Sequence, residues 1–278
     1  MKIIKSLVKN ILWKIWTSKT LKYLDSLEQE SNPKAKRLAI LLRQTIKGEF
    51  SKEEMQWIEK IENLRADIEK NTSKVNVIDY GAGNPQDNRS EREMYNGTIN
   101  TSRVCDINIA SKRPFWAKVL FKIIREFKPQ TAIELGTCLG ISSAYQSSAM
   151  ILNNSGRLIT MEGSPELVKI ADSHIKGLGI SNVEIIEGRF QDNLERILEE
   201  NKPIDYVFID GHHDENATID YYNLFIPYLK DGAVLVFDDI SWSKGMKNAW
   251  KIIQKDKNIQ LAVNFKEVGI CIFENKNK

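Results

Sequence analysis

Three aspartates in the second half of the chain have the types and spacing to do chemistry. Asp210 directly follows the apolar run IDYVFI, and Asp238 and Asp239 follow the run GAVLVF. If both runs are neighbouring parallel strands, their carboxyl ends meet at one edge of a sheet and the three carboxylates converge there. Hard cations prefer carboxylate oxygens, and a bound cation lowers the pKa of a hydroxyl while fixing its position. The alternative is that Asp238 caps the following helix.

A glycine turn upstream, AIELGTCLGIS, indicates a ligand site at the same sheet edge. Gly136 and Gly140 can take positive φ angles and let a ligand approach the backbone closely. The helix predicted from about Ile141 would turn its first amides toward that ligand. Glu134 at the end of the strand disfavours a pyrophosphate and favours a ligand that carries an ammonium group. The turn also lacks the G-x-G-x-x-G spacing of dinucleotide-binding turns.

Further strands follow at regular spacing, and each is separated from the next by a stretch of helix length. The run RLITME ends in Glu162, an acid at the position where nucleoside-binding folds hold ribose hydroxyls. Strands alternating with helices predict an α/β fold with a parallel, doubly wound sheet.

The ordered series ELGTCLGIS, MEGS, EGRFQD, FIDGHH and VFDDI resembles the class I S-adenosylmethionine-dependent methyltransferases. It is similar to the catechol and caffeoyl-CoA O-methyltransferases and to bacterial sugar O-methyltransferases, over residues 115–273. The resemblance implies a Rossmann-like, seven-stranded methyltransferase sheet behind an N-terminal helical region. Its last strand, Gly269 to Phe273, should be antiparallel and lie beside Ala262 to Phe265. The resemblance also implies O-methylation of a small-molecule or glycan hydroxyl.

The same resemblance implies which residues bind S-adenosyl-L-methionine. Gly188 would allow close approach to the adenine, Phe190 would stack on it or serve as plain core, and Gln191 would donate a hydrogen bond to its edge. The full expected set is Glu134, Gly136, Thr137, Gly140, Ser142, Glu162, Gly163, Gly188, Phe190, Gln191 and Asp210.

By resemblance, Asp210 and Asp238 match the metal-binding aspartates of the metal-dependent O-methyltransferases. Asp239 falls where the catechol-type enzymes carry asparagine, and with the other two aspartates it predicts a Mg²⁺ or similar divalent site. His213 lies where those enzymes place a catalytic lysine. An imidazole titrates near neutral pH, so His213 is expected to act as the base beside Asp210. His212 is the competing choice, and a solvent-facing loop histidine is the alternative.

Two segments ahead of the sheet carry less specific signals. One of Ser111, Lys112 and Arg113 is expected, by resemblance, to touch substrate or the cofactor's carboxylate. The segment VNVIDYGAGNPQDN (75–88) offers a second strand, acid and glycine turn, with Asn84 where relatives more often carry serine. It lacks a following helix, so we interpret it as a surface β-turn outside the cofactor site.

The N-terminus is basic, with six lysines before the first acid, Asp25. Residues 1–17 predict an amphipathic helix that packs on protein, including a second subunit in a homodimer, or lies on an anionic membrane. The expected domains are an N-terminal helical region (1–74), a linker segment with the D-x-G-A-G turn (75–112) and the methyltransferase domain (113–278). Three scattered cysteines predict no disulfide framework and fit a cytoplasmic protein, and the net charge of +3 gives no reason to expect nucleic-acid binding.

Three other functions stay open from the sequence. One is a metal-independent methyltransferase that relies on His213 as base. Another is a nicotinamide-binding oxidoreductase, which the missing third glycine disfavours. The last is a non-catalytic, membrane-associated binding protein. The acceptor itself has no signature in the sequence: a sugar, a polyketide, a lipid or a phenol would each offer a hydroxyl.

Overall fold

The computed structural model describes residues 2–83, 86–87 and 89–276, with side chains from residue 11 onward. Asn84 lies outside the described residues, as do the side chains of residues 1–10 on which part of the predicted amphipathic face rests. The chain forms two compact units, Met1–Lys52 and Glu53–Lys278. None of the described helices has the length and apolar character needed to cross a membrane.

The first unit is a pair of helices, α1 (Lys2–Glu28) and α2 (Pro33–Lys47). The side chain of Asn32 caps α2 by accepting a hydrogen bond from the amide of Lys34 at 2.9 Å. Arg43 of α2 reaches back to Asp25 of α1 at 2.9 Å and so joins the two helices. The basic N-terminal segment is therefore part of a helix longer than the predicted residues 1–17.

The second unit begins with α3 (Lys52–Ile68), which packs on α6 (Pro114–Phe127) through a buried ion pair. The carboxylate of Glu54 on α3 accepts from Lys122 at 2.8 Å and from Arg125 at 3.2 Å, both on α6. Pairing satisfies charges that would otherwise be costly to bury. It fixes α3 against the helix that leads into the central sheet.

A two-stranded antiparallel ribbon follows α3. It consists of β1 (Lys74–Asp79) and β2 (Thr98–Arg103), with the short helix α4 (Glu91–Asn96) between them and α5 (Val104–Ile107) after them. Strand β1 was predicted from its apolar residues, whereas β2 (TINTSR) is too polar to be recognised as a strand.

The central sheet has seven strands in the order β5–β4–β3–β6–β7–β9–β8. Their bounds are β3 (Thr131–Leu135), β4 (Arg157–Glu162), β5 (Val183–Glu187), β6 (Ile204–Ile209), β7 (Leu229–Phe237), β8 (Ile259–Phe265) and β9 (Val268–Phe273). Strands β3 to β7 are parallel, and β9 is antiparallel to both β7 and β8. The predicted Rossmann-like sheet with an antiparallel last strand is confirmed.

Helices connect the strands along the chain. They are α7 (Ile141–Leu152), α8 (Pro165–Gly177), α9 (Phe190–Asn201), α10 (Glu215–Phe225) and α11 (Lys244–Ile253). The strand order reverses at β3, whose neighbours β4 and β6 lead away in opposite directions. In open α/β sheets such a reversal leaves a crevice at the carboxyl ends of the strands.

Candidate functional site

A cavity of about 430 Å³ opens at that crevice, large enough for a nucleoside-sized ligand. The sheet side of its wall is formed by Gly136, Thr137, Cys138, Ser142, Glu162, Gly163, Phe190, Gln191, Asp210, Gly211, His212 and His213. The opposite side is formed by Val77 to Gly83 of the ribbon together with Asn100, Ser102, Ser111 and Lys112. The structure thus brings most of the predicted cofactor residues to one place.

The glycine turn after β3 has the predicted positive φ angles, and close packing against the backbone of the protein requires a glycine at Gly136. Gly136 has a φ of 106°, and any side chain there would collide with the carbonyl oxygen of Asp210. Gly140, at φ 81°, begins α7 without a side-chain cap and does not border the cavity. Ser142 in the first turn of α7 does border it, so this helix presents its amino-terminal end to the cavity.

Glu134 is not available to a ligand, and the interpretation that it meets an ammonium group is wrong. Its side chain is fully buried behind the turn and does not border the cavity. Gln146 and Thr160 each donate a hydrogen bond to its carboxylate at 2.7 Å, and Ser143 donates a third. Burial raises the pKa of Glu134, while these donors act in the opposite direction. Glu134 therefore holds β3, β4 and α7 together.

Glu162 does border the cavity, at the end of β4 as predicted. One carboxylate oxygen accepts from the amide of Cys138 and the other from the amide of Ser164, both at 2.9 Å. Burial raises the pKa of Glu162, and the backbone amides oppose that shift. Each oxygen keeps a lone pair for another donor, so the carboxylate is held in place to accept hydrogen bonds from a diol.

The predicted adenine side is only partly exposed to the cavity. Phe190 borders it and lies edge-on to Tyr221, with ring centroids 5.8 Å apart. Gln191 also borders it, and its amide nitrogen is 3.3 Å from Nε2 of His212. Gly188 does not border the cavity, and its φ of 130° serves a tight turn in which a side chain would meet Asn193. The turn itself therefore requires Gly188, and its expected role in ligand approach stays a prediction.

The ribbon segment read as a surface turn forms a wall of the cavity instead. The Tyr80 ring lies 2.6 Å from where a Cβ at Gly163 would stand, so Gly163 accommodates this ring. Ala82 donates its amide hydrogen to the carbonyl oxygen of His212 at 2.7 Å. Asp79 closes the turn, accepting from the amide of Gly81 at 2.9 Å and from Arg89 at 2.7 Å. The interpretation of this segment as lying outside the site is wrong.

The two histidines after β6 have different environments. His212 is buried, and its Nδ1 is 2.8 Å from the hydroxyl of Tyr221. Burial lowers the pKa of His212. His213 is 28% exposed, and its Nε2 lies 3.7 Å from Oδ1 of Asp210. Of the two candidate bases, His212 has a ring nitrogen engaged by the hydroxyl of Tyr221, whereas His213 does not.

The predicted aspartates converge, but a lysine stands between two of them. The ammonium of Lys112 pairs with Oδ2 of Asp238 and lies 3.1 Å from Oδ2 of Asp210. Burial and the Asp238 carboxylate raise the pKa of Asp210. Burial and then the Asp238 charge likewise raise the pKa of Asp239. Burial opposes ionisation of Asp238, yet the Lys112 charge lowers its pKa.

In this arrangement the three aspartates do not form the expected metal site. Among the described residues, no cluster of three or more histidine, cysteine, aspartate or glutamate side chains is arranged to hold a metal ion. Asp238 and Asp239 do not border the cavity, whereas Lys112 does. The physical reason is that the ammonium already neutralises the oxygens a cation would use.

Sequence reasoning left two residues of this site unassigned. Lys112 was one of three candidates, and only its pairing with Asp238, 126 positions later, distinguishes it from Ser111 and Arg113. Tyr80 stands next to the glycines of a turn that seemed to lie elsewhere. The acid–glycine–alanine–glycine pattern itself was the available signal, because its shape is that of a ligand-binding turn.

Comparison with known proteins follows the same region of the chain. A profile of the family described as "Methyltransferase domain" matches residues 133–240. Over 132 residues the chain is 30% identical to the catechol O-methyltransferase of Niastella koreensis, a match that covers 47% of this chain. The chain spans 58% of the length of that relative.

Solved structures show the same fold. The O-methyltransferase from Bacillus cereus in complex with SAH has a TM-score of 0.51 at 21% identity, covering 60% of this chain and 84% of that one. The O-methyltransferase TomG from Streptomyces achromogenes, involved in tomaymycin synthesis and in complex with SAM, also has a TM-score of 0.51. Its identity is 20%, and the match covers 59% of this chain and 82% of that one.

Proposed function

We propose that the chain is a class I S-adenosylmethionine-dependent methyltransferase and that it methylates a hydroxyl oxygen of a small molecule or glycan. The observation that carries the proposal is the position of Glu162. Its carboxylate is fixed by two backbone amides at the rim of a nucleoside-sized cavity, next to the amino-terminal end of α7.

The residues around the cavity fit S-adenosylmethionine. Glu162 can accept hydrogen bonds from the ribose hydroxyls, and the ring of Phe190 offers a surface for the adenine. The uncapped first turn of α7 suits the carboxylate of the methionine part. Carboxyl groups of Asp210, Glu162 and Asp79 line the cavity, which suits a ligand bearing an ammonium and a sulfonium.

When bound, S-adenosylmethionine supplies a methyl group on a sulfonium, and transfer to a hydroxyl leaves S-adenosylhomocysteine (SAH) and one proton. The chain must accept that proton. His213 is placed for it, because its ring borders the cavity and lies 3.7 Å from Asp210, which can stabilise the protonated imidazole. His212 is instead a positioning residue, held by Tyr221 and by the backbone link to Ala82.

A divalent metal such as Mg²⁺ does not fit the aspartates as they are arranged. The Oδ2 atoms of Asp210 and Asp238 face the same ammonium, so a metal would have to displace a buried lysine before it could bind them. We therefore assign no step of the reaction to a metal.

We also propose a binding partner for α1, on the basis of its exposed surface. Ile11, Leu12, Trp13 and Ile15 are exposed beside Lys14, an apolar and basic combination that suits an anionic membrane surface. A second copy of the chain is the competing partner for the same surface.

Cofactor binding and product formation test the main proposal. Calorimetry should detect SAH binding to the full chain and no binding of a nicotinamide dinucleotide. A coupled assay for SAH release should then report turnover with at least one class among phenols, catechols, sugars and lipids that carry hydroxyl groups. Binding of the dinucleotide in place of SAH would overturn the proposal in favour of an oxidoreductase.

A further inference from the structure

Lys112 is a buried cation at the point where the cavity meets the aspartates. It lies directly before α6, and its side chain is 9% exposed. Its ammonium pairs with Asp238, lies 3.1 Å from Asp210 and stands 5.6 Å from the centre of the Phe208 ring. A lysine is seldom buried unless its charge is compensated, and here two carboxylates and an aromatic face compensate it.

The backbone around Lys112 is held from the opposite side. Arg65 on α3 donates to the carbonyl oxygen of Lys112 at 2.7 Å. Arg65 is oriented by Glu62 at 3.1 Å, and Glu62 accepts a hydrogen bond from the hydroxyl of Tyr145 at 2.8 Å. Two helices, α3 and α7, therefore fix the segment that delivers the ammonium, which distinguishes Lys112 from a surface lysine that happens to reach a carboxylate.

The carboxylates around the Lys112 ammonium stabilise it in its buried position. Asp210, Asp238 and Asp239 bring carboxylates together in a region shielded from water, where unpaired charges are costly. Burial alone would lower the pKa of Lys112, but the charges of Asp210 and Asp238 raise it above its ordinary value. The ammonium is therefore held in place by the two carboxylates that flank it.

We propose that Lys112 is the cation of the methyl-transfer site, held between Asp210 and Asp238 in the position that a divalent metal would otherwise take. The proposal rests on the proposed function and names the group that binds the acceptor oxygen. An ammonium has three N–H groups. Two are directed to the carboxylates, which leaves one to donate to an acceptor hydroxyl at the cavity wall.

The chemistry follows from that hydrogen bond. A donor with a full positive charge stabilises the ionised form of the bound hydroxyl and so lowers its pKa. As the oxygen–carbon bond forms, the sulfur–carbon bond breaks and its electron pair stays on sulfur, while the hydroxyl proton passes to His213. No divalent cation is needed to balance the step.

Metal binding tests the proposal independently of turnover. Mn²⁺ is titrated into the full chain, and binding is followed by calorimetry and by the loss of the free-ion electron paramagnetic resonance signal. The wild type should bind no Mn²⁺ at the aspartates. Lys112→Met empties the position between Asp210 and Asp238 and should gain a Mn²⁺ site. Adding Asp238→Asn to that variant should remove the site again, and thermal unfolding of both variants reports whether they fold.

Measurement of turnover is the second part of the test. The wild type should keep full activity in excess chelator, and Lys112→Met should lose about 100-fold or more, the usual effect of removing one electrostatic donor. Lys112→Arg, which keeps the charge, should lose less. Mn²⁺ binding by the wild type that depends on Asp238 would overturn the proposal, and so would loss of wild-type turnover in chelator.

These failures are distinguishable from failure of the proposed function, because SAH affinity is measured on the same samples. A wild type that binds SAH but needs a metal refutes only the role of Lys112. A wild type that does not bind SAH refutes the methyltransferase assignment itself.

Discussion

The amide of Ala82 donates a hydrogen bond to the carbonyl oxygen of His212 at 2.7 Å, across 130 residues of sequence. This bond ties the turn after β1 to the loop after β6, which carries Asp210 and His213. Two segments that look independent in the sequence thus form a single wall of the cavity.

Asp79 is predicted to matter for cofactor affinity, the reverse of what the sequence suggested. Asp79→Ala removes the acceptor for the Gly81 amide and the partner of Arg89, so the turn over the cavity should loosen. We expect SAH to bind about 5- to 30-fold more weakly, the size of one or two lost hydrogen bonds. Calorimetry with SAH measures the change.

Glu91→Ala is the matched control, because Glu91 is an exposed acid between the same two strands that does not border the cavity. Its affinity for SAH should equal that of the wild type. Equal affinities for the Asp79 and Glu91 variants would mean that the turn has no part in binding.

Glu134 and Glu162 should respond differently to the same change. Glu162→Gln should weaken SAH binding by about 1–3 kcal/mol, because a charged acceptor for the ribose hydroxyls is replaced by an amide. Glu134→Gln should leave the affinity unchanged and lower the melting temperature, because Glu134 is enclosed by the donors of Ser143, Gln146 and Thr160.

Calorimetry and thermal unfolding of both variants give a two-by-two comparison. A loss of SAH affinity in a stably folded Glu134→Gln variant would contradict the structural role assigned to Glu134. Unchanged affinity in Glu162→Gln would remove the ribose assignment.

The two histidines should separate catalysis from stability. His213→Ala should reduce kcat by about 10²–10⁴-fold, the usual effect of removing a general base, without changing SAH affinity. His212→Gln should mainly alter the pH dependence of folding. Burial lowers the pKa of its imidazole, so below about pH 6.5 the unfolded chain takes up a proton more readily than the folded chain does.

This difference in proton uptake determines the direction in which the free energy of unfolding changes with pH. The free energy of unfolding should fall as the pH is lowered below about 6.5 in the wild type, and it should fall less steeply in His212→Gln. Urea unfolding between pH 5 and 8 measures both slopes. Parallel slopes would show that His212 is protonated in the folded protein.

The exposed apolar residues of α1 lead to a prediction about membranes. The full chain should bind vesicles containing anionic lipid in a salt-sensitive way, and deletion of residues 1–17 should abolish that binding. Trp13→Ser, which removes one exposed aromatic, should weaken it. If vesicles are ignored and sedimentation shows a dimer that the deletion dissociates, the second copy is the partner.

The strands of the central sheet could be predicted because their signals are local. Strands β3 to β7 are short apolar runs that end in, or are directly followed by, an acid or a glycine, and the order of those runs along the chain determines the parallel sheet. The position of Glu134 could not be predicted in the same way. In the sequence, an acid at the end of a strand looks the same whether its side chain faces the cavity or is buried among hydrogen-bond donors, as Glu134 is.

Lys112 and Tyr80 show the same limit from the other direction. Lys112 is recognisable as a site residue only by its pairing with a carboxylate 126 positions away. Tyr80 is recognisable only because its ring packs where Gly163 has no side chain. Burial and pairing across such distances arise from packing, and no local pattern in the sequence reports them.

The absence of a side chain at Gly163 has a consequence for exchanging parts between proteins. Because the Tyr80 ring fills the volume of the missing Cβ, the ribbon fits only a sheet with glycine at this position. A chimera that moves residues 74–103 onto another methyltransferase sheet would need that glycine in the recipient. Conversely, Gly163→Ala would press against the Tyr80 ring and disturb the seating of the ribbon while leaving every residue of the ribbon unchanged.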